Sequence, residues 1–205
     1  GDAEFRRAMS GVTARERELL ATAAQLFAQQ GYPGTSMSQL AAACGLSKPA
    51  LYHYVPDKAE LLARICEAHV EKLAALVREV EAQAQATTPE ARLSELLRRF
   101  LAVYGGARHE HRVLTEDLKF LPAPRQQRIR ELEREVVNGF AAALCALQPR
   151  LDGERLAKPV TMLLFGMINW TYTWHRPEGP LSDTQLADLV KGLLLGGLPA
   201  LGQAA

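Results

Sequence analysis

Residues 36–46 read Ser36-Met-Ser-Gln-Leu-Ala-Ala-Ala-Cys-Gly45-Leu46, and the chain continues Ser47-Lys-Pro-Ala-Leu-Tyr-His-Tyr54. Ser36 with Gln39 three positions later forms a capping box, so a short helix opens there and Gly45 stops it. Ser47 opens a second short helix with Pro49 in its first turn, where a missing N–H is harmless. A short helix, a glycine at a left-handed turn and a second capped helix are the parts of a helix-turn-helix. Leu40, Ala41, Leu46 and Leu51 are expected to hold the two helices together. Ser47, Lys48, Tyr52 and His53 then stand outward from the second. A helix exposed in this way fits the major groove of DNA, with its first turns nearest the base edges.

Outward from this segment the pattern stays helical. Thr13 with Glu16 is another capping box, and Leu20, Ala24 and Phe27 recur on one face until Gly31. Asp57 with Glu60 opens a helix carrying Leu62, Ile65, Val70, Leu73, Val77 and Val80, which is expected to join two parts of the chain rigidly. After Thr87-Thr88-Pro89, helices are expected at about 89–104, 107–120, 124–147, 156–175 and 183–198, the last opened by Ser182 with Gln185. Gly105-Gly106, Pro122-Ala-Pro124, Pro149 and Pro177-Glu-Gly-Pro180 are the breaks. No period-two alternation survives between them. The fold class is all-α with about nine helices: a helix-turn-helix domain over 13–60 and a second helical domain over 61–205. Residues 1–12 lack periodicity and are expected to be a flexible arm or an expression remnant.

Composition narrows the function classes. The chain has 205 residues, 48% of them hydrophobic, and a formal net charge of +1. It can bury a sizeable core, but charge alone gives no sign of nucleic acid. Cys44, Cys66 and Cys145 lack metal-ligand spacing, and their odd number argues for a reduced, cytoplasmic setting. No signal-peptide pattern and no apolar run near membrane-span length is present. An enzyme reading could start from His109-Glu-His111 and Glu116-Asp117, but histidines two apart on a helix face different ways. With no phosphate loop, nucleophile elbow or Cys-His pair in suggestive context, neither catalysis nor a cofactor is expected. A helical interaction scaffold would explain the core but not the turn and the exposed helix.

The run from Gly31-Tyr-Pro-Gly-Thr-Ser-Met through Gly45-Leu-Ser-Lys-Pro-Ala-Leu-Tyr-His-Tyr-Val-Pro-Asp-Lys58 resembles the N-terminal domain of the tetracycline-repressor (TetR) family. The likeness spans about 50 residues, from Thr13 to Leu62. Val55 stands where the family more often has Phe. The resemblance implies a ligand-responsive repressor that grips a double-stranded DNA operator as a homodimer. It implies DNA contacts from Ser36, Ser47, Lys48, Tyr52, His53 and Lys58. Tyr52 and Lys58 suit phosphates, with Lys58 aided by the amides opening its helix, while Lys48 and His53 suit base edges.

The same resemblance makes the second domain a small-molecule pocket and dimer surface. Helix 156–175 is apolar on nearly all sides, so one face would be covered by a partner, and Gly192, Gly196 and Gly197 would permit close helix approach. The phrase Leu164-Phe-Gly-Met-Ile-Asn-Trp-Thr-Tyr-Thr-Trp-His-Arg-Pro-Glu-Gly-Pro-Leu-Ser182 is similar to one in a branch of the family. That branch holds repressors of phenylacetate, sterol-ring or fatty-acid breakdown, several responding to coenzyme A thioesters. Pocket candidates by residue chemistry are Tyr104, Phe120, Phe140, Met162, Phe165, Asn169 and Trp170. Asn169 either satisfies a neighbour's backbone or meets a ligand. Arg108, Arg112, Arg125 and Arg128 are the cations available for coenzyme A phosphates. A hydrophobic drug-like effector of an efflux operon is the alternative.

Overall fold

The computed structural model describes residues 13–201, so the expectation for residues 1–12 lies outside the described residues. Among those described there is no strand. There are nine helices of seven residues or more and two of four: α1 Ala14–Gln30, α2 Met37–Ala43, α3 Lys48–Tyr54, α4 Lys58–Ala82, α5 Pro89–Gly106, α6 Arg108–Asp117, α7 Ala123–Leu147, α8 Arg150–Gly153, α9 Ala157–Asn169, α10 Thr171–Trp174 and α11 Asp183–Gly197. The chain divides into two compact units, residues 13–69 with 109–127, and residues 70–108 with 128–201. No described helix is long and apolar enough to cross a membrane.

In the first unit the reciprocal capping boxes at Thr13 and Ser36 form as the spacing requires. Asp57 Oδ1 accepts the Glu60 N–H at 2.7 Å, but the Glu60 carboxylate turns to Arg64 instead of closing the box. Helix α1 buries Ala24 and Phe27 as expected, together with Leu19 and Ala23, while the expected Leu20 is half-buried. Gly31 stops the helix at φ +78°, with its N–H on the Phe27 carbonyl.

The second unit is built on an aromatic file. Phe100 meets Phe140 edge-on at 4.7 Å, and Phe140 meets Phe165 at 5.0 Å. This is the spacing at which ring quadrupoles attract. Two expected boundaries move. Helix α5 runs through Gly105-Gly106 and is capped at Ala107, because Gly105 serves close approach rather than termination: a Cβ there would lie 2.6 Å from an Asp183 carboxylate oxygen. The expected helix 156–175 breaks at Trp170. Thr171 and Thr173 donate their hydroxyls to the Ile168 and Trp170 carbonyls at 2.7 Å, offering the backbone an alternative to the regular ladder.

Candidate nucleic-acid interface and effector core

The helix-turn-helix is set by its turn. Gly45 has φ +64°, and its N–H and that of Leu46 bond back to Ala42 and Ala41. Leu40 and Leu51 are fully buried between α2 and α3, Ala41 is buried, and Leu46 is half-buried. Val55, the smaller plug, is also buried. Arg15 of α1 donates to the Cys44 carbonyl at 2.8 Å and ties the first helix to this turn.

The six candidate DNA residues fall into two groups. Ser36, Ser47, Lys48, Tyr52 and His53 are exposed, four of them in or capping α3. The Ser36 and Ser47 hydroxyls accept from Gln39 and Ala50 N–H, so each caps its helix while its own O–H can donate outward. Lys58, the sixth, is half-buried at the start of α4. Its Nζ donates to the Tyr32 carbonyl at 2.8 Å and lies 4.2 Å from the centre of the Tyr32 ring.

Tyr32 is a hub that sequence reasoning missed. Phe27 meets its ring edge-on at 5.3 Å and Phe120 stacks on it at 5.7 Å. Its N–H donates to Asp117, a buried carboxyl whose pKa is pushed up by that burial. Nearby, the Glu60 N–H and then Arg125 hold the Asp57 carboxyl below its usual range. No local pattern marks Tyr32, since its partners arrive from three segments of the chain.

The effector candidates scatter. Tyr104, Phe140 and Phe165 are buried and belong to the aromatic file or adjoin it through Phe100, and Tyr104 donates its hydroxyl to Asn169 Oδ1 at 2.7 Å. Burial raises the Tyr104 pKa, so it remains a donor. Met162 and Trp170 are exposed, and Phe120 lies with Tyr32 in the first unit. Below Tyr104 is a void of about 10 Å³ edged by Arg108, Thr171 and His175, room for roughly one water. A larger cleft of about 460 Å³ is lined by Val77, Glu81, Glu131, Arg134, Glu135, Asn138 and Gly139, none of them sequence candidates.

The four arginines weighed for coenzyme A phosphates all have protein partners. Arg108 donates to the Tyr172 and His175 carbonyls, and Arg112 pairs with Glu116. Arg125 pairs with Asp57 and Glu60, and Arg128 with Glu71 and Glu131.

Comparison with known proteins places this geometry. Residues 19–65 match the family described as bacterial regulatory proteins of the tetR family, and residues 86–198 match the tetracyclin repressor-like C-terminal domain. A TetR-family transcriptional regulator from Bordetella parapertussis 12822 is 35% identical with a TM-score of 0.84, over 91% of this chain and 96% of that one. AibR, solved with isovaleryl coenzyme A and operator DNA, is 27% identical with a TM-score of 0.73, over 87% and 97%. The transcriptional repressor KstR2 of Mycobacterium tuberculosis H37Rv is 24% identical over 202 residues, 94% of this chain and 96% of its own. With both halves matched and the helix-turn-helix built as the family requires, this chain belongs to the TetR family of DNA-binding transcriptional regulators.

Proposed function

We propose that this chain is a cytoplasmic repressor that binds a pseudo-palindromic operator as a homodimer and is released by an acyl- or aryl-coenzyme A thioester. The observation that carries the DNA reading is the outward face of α3: Ser47, Lys48, Tyr52 and His53 exposed above a fully buried Leu51. Lys48 and His53 read base edges, while Ser36, Tyr52 and Lys58 hold phosphates. Repression is favoured by the likeness to KstR2, and the thioester class by the likeness to AibR, whose structure holds isovaleryl coenzyme A.

The acyl group would enter beside Tyr104, Phe140, Phe165 and Asn169, where the Tyr104–Asn169 pair is a polar handle in an aromatic interior. The void that Tyr104 shares with Arg108, Thr171 and His175 is too small for it, so entry requires α5 to part from the 157–174 segment. That coupling of entry to movement is what an effector needs in order to shift a population. To clear most bound DNA the ligand must prefer the released state by about 100-fold.

The test is calorimetric titration with phenylacetyl-CoA, isovaleryl-CoA and free phenylacetate. It runs beside release of a labelled duplex that the protein has selected from a random pool. Thioesters should bind and release DNA while the free acid does neither. Release by a free acid or a hydrophobic drug, with no thioester response, rejects this ligand class.

A further inference from the structure

We propose that Phe120 is a positioning residue for DNA binding: through Tyr32 it holds Lys58 ready for a phosphate. The inference rests on the reading of Lys58 as a phosphate contact. Lysine is a point charge on a flexible stem, so fixing its head before DNA arrives removes an ordering cost from binding. The Tyr32 carbonyl takes one of the three ammonium N–H groups at 2.8 Å, leaving two for a phosphate. The Tyr32 ring adds a cation–π contact at 4.2 Å.

Tyr32 sits in the link between α1 and α2, and its place is set from residues 117–120 of the same unit. Asp117 accepts its N–H, and Phe120 stacks on its ring, 5.7 Å away and tilted by 22°. Phe120 itself is 43% exposed, so burial explains little of why an aromatic stands there. The stack explains it. Removing the Phe120 ring leaves Tyr32 to Phe27 and Asp117 alone, and loosens the carbonyl and ring that hold Lys58.

The experiment is a double-mutant cycle on the full chain. Wild type, Phe120→Ala, Lys58→Ala and the double variant are titrated by fluorescence anisotropy against a duplex recovered by the wild type from a randomised pool, at several salt concentrations. Lys58→Ala should lower the slope of log affinity on log salt by about one. Phe120→Ala should weaken binding about fivefold with Lys58 present and less than about twofold without it. Phe120→Leu keeps the bulk and the fold but should lose as much, whereas Phe120→Tyr should bind as wild type. An equal loss from Phe120→Ala in both backgrounds overturns the positioning role and leaves the phosphate contact standing. A Lys58→Ala variant with unchanged affinity and slope removes the phosphate contact, and this inference with it.

Discussion

Lys48 and Lys58 flank the same motif yet are held differently, and the difference sets what each can do. Lys48 is exposed on the first turn of α3, whereas Lys58 is tethered to Tyr32. Lys48→Ala should therefore change base preference in a duplex selection, while Lys58→Ala should weaken all duplexes alike. Asp117 shows the opposite situation, a carboxyl that the fold would rather keep neutral. Its folded pKa is raised by burial, so its contribution is full below the ordinary carboxyl pKa and is lost as pH rises through the raised value. Asp117→Asn keeps an acceptor for the Tyr32 N–H without a buried charge. It should raise the melting temperature by about 2 °C at pH 7, a gain that disappears by about pH 4. A melting temperature that falls at pH 7 would mean that the charge itself is needed. The exposed residues of α3 were legible from its caps and from Leu51, the buried residue of a seven-residue helix that leaves its neighbours to solvent. The roles of Tyr32, Asp117 and Phe120 were not, because long-range packing assigns them.

Helices were legible wherever a cap and a stop were local. Ser36, Ser47 and Ser182 each accept the N–H three residues on, as their spacing implied. The misplaced boundaries, Gly105-Gly106 and Trp170, are sites where a neighbouring element or a hydroxyl overrules the local signal. Two glycines make this distinction measurable. Gly45 is left-handed with open space around it, so Gly45→Ala should cost about 1 kcal/mol from backbone conformation alone. Gly139 in α7 faces Val77 of α4 so closely that a Cβ would overlap its side chain. Gly139→Ala should cost about 1–3 kcal/mol by overpacking, and Val77→Ala should relieve most of that in the double variant. Urea unfolding of the wild type and these four variants checks both. Additive losses at Gly139 and Val77 would show that the two helices do not meet there.

At the scale of the whole molecule, the second unit leaves apolar side chains uncovered. Leu163 and Leu193 are 71% and 68% exposed, joined by Met162, Trp174 and Leu189, and Gly192 and Gly196 face open space. Exposed apolar side chains of this kind on α9, α10 and α11 suit a second copy of the chain, and a two-fold protein suits two-fold half-sites. Leu193→Glu should give a monomer by light scattering at micromolar concentration and lose specific DNA binding with it. A dimer that survives this change would place the interface elsewhere. Sequence-specific recognition by paired α3 helices is read out by selection from random duplexes with the purified protein. The expected result is enrichment of a pseudo-palindrome whose half-sites lie about one helical turn or a multiple of it apart, bound in the nanomolar range and weakening steeply with salt. A pool that stays random after repeated rounds would contradict it.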